Sequence, residues 1–299
     1  MFSSIEIVAQ SCCTGGPPMA NNLNTSAIIN GFSASLNYDY NEMNDFLNDD
    51  ELIDSHPFKR YSSGYFLSIG SSIGGNFSAN LTIPYVIHFR SVNDQNPLNS
   101  SGFSDPVVIL NYQLGANTKN SFSFGVGLGV PLGENKEKDN TFGFLLPFDM
   151  QPALRTWTFY VTSRYQRQSF ISDNMYFFTN LIYQNQVPTK RPGSGQQFKL
   201  GAEYQNYSGF GYNFFLFSAM ISPQIALRVK YTDFDMVNTI EVNNSGGFWV
   251  FNSALLQFQY KKFTSFVGME VPIYRVTNGS QLTTSLRLRG GFGLFLSYK

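Results

Sequence analysis

Histidines are the first residues to consider for proton-transfer chemistry, and the chain of 299 residues has only two, His56 and His88. Acid–base and nucleophilic catalysis need a base beside a nucleophile, together with an acid that orients the base. No G-x-S-x-G motif is present, and no other motif places a serine beside His88. The sequence therefore predicts that the protein is not an enzyme, and we expect His88 to be a hydrogen-bonded polar residue.

Cysteines could supply redox or metal chemistry, and Cys12 and Cys13 are the only two in the chain. Two adjacent thiolates do not complete a tetrahedral metal site, although a partner could supply the missing ligands. Three interpretations stay open: an inert pair or strained disulfide, a metal or redox role, and a lipid anchor at Cys12. Residues 1–9 resemble the tail of a secretory signal, which makes 10–26 a Cys-bearing tail in the periplasm. No other residues indicate a cofactor.

Ionisable side chains are the third set of candidates, because many of them fall on the polar phase of segments that alternate between apolar and polar residues. Charged side chains that line a narrow passage can select solutes. They can equally fill a small barrel as a salt-bridged plug, and in both cases unpaired buried charge is costly, so the charges should pair. The candidates for the lumen or its constriction are His88, Arg90, Asp105, Lys199, Glu203, Arg228, Lys230, Glu270, Arg287 and Arg289, with Asp39 and Arg164 in the same phase.

The alternation itself predicts the elements that position these residues. In the segment 77–90 the odd positions are mainly large apolar residues, from Phe77 to Phe89, and most even positions are polar. Successive side chains of a strand point to opposite faces, so this segment is one strand with an apolar face and a polar face. Its length exceeds the usual five or six residues of a soluble strand and suits a tilted strand that crosses a bilayer. Repeated along the chain, the pattern predicts a transmembrane β-barrel.

Composition agrees with a barrel wall. Only 13% of residues are charged and 16% are aromatic, whereas a soluble domain usually has about a quarter charged residues. The sequence has no run of eighteen apolar residues and so predicts no transmembrane helix. A large soluble β-sandwich is the alternative, but the polar face carries Gly, Ser, Thr, Asn and Gln, which would make a poor dry core. The net charge of zero, without a basic run, argues against nucleic acid as a partner.

Twelve segments have the alternating pattern. They are 27–40, 59–72, 75–91, 104–116, 120–133, 150–166, 171–186, 196–207, 212–235, 247–261, 263–276 and 282–298. Short turns are expected at Gly74-Gly75, Asn117-Thr118, Arg167-Gln168, Ser208-Gly209 and Lys261-Lys262. Longer polar connections are expected at 41–58, 92–103, 134–149, 187–195 and 236–246. Bacterial barrels have short periplasmic turns and long extracellular loops, so we expect both termini in the periplasm and the segments 41–58 and 134–147 outside.

Two further expectations concern local geometry. A hairpin centred near Gly279 would place Glu270 opposite Arg287 or Arg289, so that these inward side chains pair. Pro84, Pro131 and Pro272 fall within predicted strands, and each should mark a bulge because proline removes a donor from the ladder and a closed barrel has no edge.

Several short motifs resemble a known family. The segment 102–114 is similar to its "G-x-x-D-x-x-x-x-x-x-Y-x-L" strand, with Gly102, Asp105, Tyr112 and Leu114 at the motif positions. The segments 127–134 and 271–274, the latter followed by Asn278-Gly279, are similar to other parts of the same family. These are the outer-membrane transporters named after the MetA pathway of phenol degradation. The resemblance implies a β-barrel over most of residues 60–299 and transport of small aromatic or other hydrophobic compounds, and it carries no catalytic residues.

The sequence thus predicts an all-β protein, an antiparallel transmembrane barrel of about twelve strands over residues 27–299. The function it favours is a channel or transporter for small solutes in the bacterial outer membrane. The alternative is a non-conducting structural or accessory subunit of a larger outer-membrane complex. The expected partners are outer-membrane lipids, a small-molecule solute and other envelope proteins that contact the loops or the N-terminal tail, with no nucleic acid among them.

Overall fold

Twelve antiparallel strands form the wall of the molecule in the computed structural model, which describes residues 31–93, 95–115, 119–139, 143–190 and 195–297. The strands are β1 (Gly31–Glu42), β2 (Phe58–Gly74), β3 (Phe77–Val92), β4 (Val107–Leu114), β5 (Asn120–Gly129), β6 (Thr158–Gln168), β7 (Met175–Gln186), β8 (Glu203–Tyr212), β9 (Ala219–Thr232), β10 (Gly247–Tyr260), β11 (Phe263–Thr277) and β12 (Leu286–Ser297). Each strand pairs with the next, and β12 pairs with β1 from Gly31↔Ser297 to Glu42↔Leu286. The sheet is therefore a closed barrel, as the alternation predicted. The signal-like segment and the cysteine tail lie outside the described residues.

The two faces of the wall differ in the way the sequence pattern requires. On β9, Ile225 and Leu227 are exposed on the outside, whereas Ala226 and Arg228 are buried on the inside. Aromatic pairs ring the outside at two levels. Tyr61–Phe89 and Tyr183–Tyr204 lie at one level, with ring centroids 4.6 and 4.8 Å apart, and Phe77–Tyr112 and Phe177–Phe210 lie at the other, 4.8 and 5.4 Å apart. Such girdles mark the two interfaces of a membrane.

Two predicted turns are wrong. Arg167 and Gln168 are the last residues of β6, where they pair with Phe177 and Tyr176 of β7. Ser208 and Gly209 lie inside β8, where they pair with Leu227 and Ala226 of β9. The chain instead reverses at Phe217-Ser218, after the short strand Phe214–Leu216. Gly209 is needed for packing, because a Cβ at this position would collide with the main-chain oxygen of Ile225 and lie 2.6 Å from the Cβ of Ala226. The predicted turns at Gly74-Gly75 and Lys261-Lys262 are confirmed, and Asn117-Thr118 lies outside the described residues.

The connection predicted at 92–103 is also mostly strand. Gln95–Phe103 pairs with the far half of β3, and β4 pairs with the near half, so the two run in line with a break at 104–106. The segment was read as a loop because it is polar on both faces. The break lies beside Pro84, whose carbonyl accepts a hydrogen bond from the Ser104 amide at 2.9 Å.

The bulge predictions for the other two prolines have different outcomes. A register shift on β10 between Val250 and Phe251 lies opposite Pro272, so a bulge is present there as predicted. Pro131 lies beyond the end of β5, in the connection to β6, and the prediction for it was wrong.

The long connections lie at one end of the barrel, called here the capped end. Two small sheets form there, one from Asp45–Asn48, Glu51–Leu52 and Ser280–Thr283, the other from Thr189–Lys190, Gln197–Lys199, Met236–Val237 and Ile240–Glu241. The connection between β5 and β6, residues 130–157, contains the 3₁₀ helix Phe148–Met150. No helix within the described residues is long and apolar enough to cross a membrane.

Candidate functional site

Glu270 lies at the centre of the lumen and is fully buried. It pairs with Arg287 across β11 and β12, as the hairpin prediction required. Its Oε1 lies 2.8 Å from Nη2 of Arg289, its Oε2 lies 3.0 Å from Nη2 of Arg228, and Nη1 of Arg287 is 3.9 Å away. One carboxylate thus lies within 4 Å of three guanidinium groups at the inner wall.

Further ion pairs extend this cluster. The Nε of Arg287 donates to both carboxylate oxygens of Asp39, at 2.9 and 3.0 Å. Nζ of Lys230 lies 2.7 Å from Oε2 of Glu203. We call the whole set the lumen network; among the described residues it comprises Asp39, Glu203, Arg228, Lys230, Glu270, Arg287 and Arg289. It joins four basic side chains to three acidic ones across strands on different sides of the barrel.

Aromatic rings hold the basic groups of the lumen network in place. The guanidinium of Arg228 lies 4.1 Å from the centre of the Phe251 ring, and that of Arg289 lies 5.6 Å from the Tyr207 ring. The Tyr207 hydroxyl also bonds to Ser253 at 2.6 Å. Cation–π contacts of this kind strengthen in a desolvated site, so the arginines are fixed in position rather than free to move through the lumen.

A second charge cluster holds a loop inside the barrel. Nη1 of Arg60, on β2, lies 2.6 Å from Oδ2 of Asp149, and Nη2 donates to the main-chain oxygen of the same residue at 2.8 Å. Arg90 lies 3.9 Å from the same carboxylate. Asp149 belongs to the 3₁₀ helix in the connection 130–157, and the Ser100 hydroxyl donates to the carbonyl of Met150. This connection, called the inserted loop, therefore folds into the lumen from the capped end.

Apolar and polar contacts complete the insertion. Leu146, Phe148, Met150 and Ala153 are all buried. Asp105 accepts hydrogen bonds from the amides of Gly133 at 2.9 Å and Thr156 at 3.4 Å, so it anchors both ends of the loop. The sequence reading placed residues 150–157 at the start of a strand, and this was wrong. Residues 150–153 are all buried, without the alternation of a strand, and β6 begins at Thr158.

His88 faces the interior and is buried, but its environment differs from the expectation. It pairs across the sheet with Ser62 on one side and with Ser100 on the other. No sequence motif places a serine beside His88, and both serines are brought there by strand pairing. Within the described part of the chain, Nδ1 of His88 has no hydrogen-bond partner, and the Ser100 hydroxyl is committed to the inserted loop. No histidine–serine hydrogen bond forms.

Of two other residues predicted to face the lumen, Lys199 lies outside it and Arg164 lies within it. Lys199 is in the small sheet of the capped end, where it pairs with Met236, so its assignment to the barrel wall was wrong. Apolar residues alternate with polar ones around Lys199, but these apolar residues pack at the small sheet and not on the barrel wall. Arg164 does face the lumen from β6, and it donates to Oε1 of Gln166 at 2.9 Å.

The sequence reading missed Arg60 and Asp149. Arg60 shares its phase with Ser62, Gly64 and Ser68 on β2, and this phase could have identified it as inward-facing. Asp149 lies in an irregular loop, where no periodicity indicates which side chains point into the barrel.

A cavity of about 120 Å³ remains between the inserted loop and the wall. Its lining is mixed: Phe66, Pro84 and Phe148 are apolar, whereas His88, Asp105 and Glu203 are polar. Elsewhere in the lumen many inward side chains are almost fully buried, Asp39, Arg228 and Glu270 among them. The passage through the described part of the barrel is therefore narrow.

Metal binding has no support in the described ranges, where no group of three or more His, Cys, Asp or Glu side chains lies in a ligand arrangement. The weak metal candidates Cys12 and Cys13 lie outside those ranges.

A closed barrel of twelve antiparallel strands, with an apolar exterior, two aromatic girdles and a polar interior, defines a transmembrane β-barrel of the bacterial outer-membrane type. The chain has this fold. It is similar to the crystal structure of an outer membrane channel from Pseudomonas putida F1, with a TM-score of 0.71, 11% identity, and 90% of this chain and 96% of the other covered. It is also similar to the beta domain of the Bordetella autotransporter BrkA, with a TM-score of 0.55, 12% identity, and 90% and 100% coverage. No family model and no curated protein sequence matches the chain.

Proposed function

We propose that the protein is an outer-membrane channel for small solutes, with a lumen that the inserted loop and the lumen network narrow to a constriction. The inserted loop is the observation that carries this proposal. A loop that only decorated the capped end would not place Asp149 against Arg60 and Arg90 on the inner wall. The channel from Pseudomonas putida, which has the same fold, adds support.

The constriction would act on solutes through size and charge. Basic groups outnumber acidic ones in the lumen network, and fixed charges at a narrow point select ions of opposite sign. Small anions and neutral solutes would therefore pass more readily than cations. His88, Arg90, Asp105, Glu203, Arg228, Lys230, Glu270, Arg287 and Arg289 are the residues we assign to this passage, to which Arg60 and Asp149 are added.

The lining of the cavity indicates the class of solute. The apolar side of the cavity, formed by Phe66, Pro84 and Phe148, suits a small solute with a hydrophobic part. This agrees with the small aromatic or hydrophobic compounds that the sequence resemblance implied, and membership of that transporter family remains a proposal. The capped end would face outward and both termini the periplasm, as the loop lengths predict.

A second function is favoured by one observation, the almost complete burial of the lumen network. A water-filled pore would leave such side chains accessible, so a barrel that never conducts, serving as an accessory subunit of a larger complex, would show the same burial.

Planar-bilayer recording with the purified protein separates the two functions. A channel gives unitary current steps, and in a salt gradient its reversal potential shifts in the direction of anion preference. Absence of current steps at every voltage, in protein whose heat-modifiable migration shows a folded barrel, would favour the accessory role.

A further inference from the structure

Polar side chains interrupt the apolar exterior on three strands of one side of the barrel, β7, β8 and β10. They are Thr179 on β7, Asn206 and Ser208 on β8, and Asn252 on β10, and together we call them the exterior polar patch. Each occupies the same phase as exposed apolar residues of its strand, such as Leu181, Phe210 and Leu256. Along β10, Asn252 lies between Phe248 and Phe258, so the patch is between the girdles, at the depth of the hydrocarbon.

Three members of the patch bond to one another. The hydroxyls of Thr179 and Ser208 are 2.7 Å apart, Asn206 donates to the Thr179 hydroxyl at 3.1 Å, and Ser208 donates to Oδ1 of Asn206 at 2.8 Å. An asparagine amide has two N–H donors and two lone pairs on its oxygen. Asn206 thus keeps one donor and one acceptor site directed away from this ring.

Asn252 lacks the hydrogen bonds that the other three members of the patch make. Its side chain is exposed and makes no hydrogen bond within the described part of the chain. It pairs with Leu227 on one side and Val271 on the other, so its cross-strand neighbours offer no polar side chain. Lipid tails cannot hydrogen-bond, and an unsatisfied amide in hydrocarbon is costly. A protein surface is the partner that would satisfy it at this depth.

We propose that the exterior polar patch is the contact surface for a second copy of this chain. Most closed oligomers are symmetric, and a two-fold contact requires a self-complementary surface. A two-fold axis along the membrane normal beside β9 places β10 of one copy against β8 of the other. Asn252 then faces the strand that carries the spare donor and acceptor of Asn206, and the same contact forms twice.

The apolar surface at the proposed axis fits this arrangement. Ile225 and Leu227 on β9 are 68% and 49% exposed and lie between the polar strands. The patch carries no charged side chain, so two copies can approach without like-charge repulsion. Packing of small polar residues with hydrogen bonds across the interface is the usual way that membrane-embedded surfaces associate.

Cysteine cross-linking tests the contact. In full-length protein with Cys12→Ser and Cys13→Ser, Leu227→Cys places one thiol beside the proposed axis. Leu81→Cys is the matched control, because Leu81 also faces outward, on β3, six strands away around the barrel. Oxidation in native membranes should give a product of twice the chain mass with Leu227→Cys and none with Leu81→Cys. Equal products from both, no product from Leu227→Cys, or a product with a chain of another mass would overturn the proposal.

A second substitution tests the hydrogen bonds. Asn252→Leu removes the amide without destabilising the barrel, since leucine suits a lipid-facing position. It should weaken association about three- to thirty-fold in a dilution series by single-molecule photobleaching in liposomes. Ser63→Leu, on the outward phase of β2, should leave association unchanged. An Asn252→Leu protein that associates as tightly as the wild type would contradict the role of the patch.

Discussion

At the scale of single residues, Glu270 makes the most ion-pair contacts in the lumen network. From a fully buried position its carboxylate lies within 4 Å of Arg228, Arg287 and Arg289. The pairing with Arg287 was predicted because alternation gives the inward phase and a reversal centred near Gly279 gives the register, although the connection is long and contains the strand Ser280–Thr283 of a small sheet. The contacts to Arg228 and to Asp39 were not, because they join strands that are distant in sequence. The same limit explains His88, whose serine neighbours come from strand pairing.

Glu270→Ala should destabilise the barrel strongly, because it leaves buried guanidinium groups without a counter-charge. Breaking a buried pair from one side typically costs about 3–5 kcal/mol. Glu270→Ala/Arg289→Ala should cost less than Glu270→Ala alone, and Glu51→Ala, at an exposed position in a small sheet of the capped end, should cost almost nothing. Urea unfolding in detergent measures all three. If the double variant is as unstable as the single one, or if the loss falls to the 0–1 kcal/mol of a surface pair, the lumen network is not a desolvated cluster.

At the level of elements, the alternation predicted the strands of the wall correctly but misplaced some of the turns and connections between them. Each of the twelve alternating segments overlaps a wall strand, since one apolar and one polar face follow from the membrane and the lumen. Gly209 was misread because glycine marks both turns and close approaches of two backbones. Residues 150–157 were assigned to a strand because a loop that is buried inside the barrel carries apolar residues, Met150 and Ala153 among them, as a wall strand does.

Gly209→Ala should destabilise the protein by about 1–3 kcal/mol, the usual range for overpacking, because the added Cβ would meet Ile225 and Ala226 on β9. Gly290→Ala is the matched control, because the nearest atom to its added Cβ is 3.5 Å away. The free energies of unfolding of the two variants, measured against wild type, give the comparison. Equal tolerance of alanine at both positions would mean that the chain reverses near Gly209, as the sequence pattern alone had predicted.

The two ends of the whole molecule differ, and from this difference we infer its orientation in the membrane. Two small sheets and the inserted loop lie at the capped end, whereas the described connections at the opposite end are short. The alternation of short and long connections was predictable from the sequence. The insertion of residues 130–157 into the lumen was not, because it depends on Arg60 and Asp149, which are far apart in the chain.

Cysteines at Asn48 and Lys136, both exposed at the capped end, should react with a membrane-impermeant maleimide on intact cells. A cysteine at Asn76, in the short turn between β2 and β3, should react only after the outer membrane is permeabilised. The measurement uses protein with Cys12→Ser and Cys13→Ser. Labelling at Asn76 with protection of the other two sites would invert the proposed orientation.

The claim on which the account depends is that the inserted loop narrows a conducting lumen, and single-channel recording after release of the loop tests it most directly. Asp149→Asn removes the charge that pairs with Arg60, and Arg60→Ala/Asp149→Ala releases the same loop without leaving a buried cation. Asp173→Asn, in an exposed turn at the other end, is the control. We predict larger unitary conductance for both loop variants and wild-type conductance for Asp173→Asn. Folded loop variants whose unitary conductance equals that of the wild type would contradict the account.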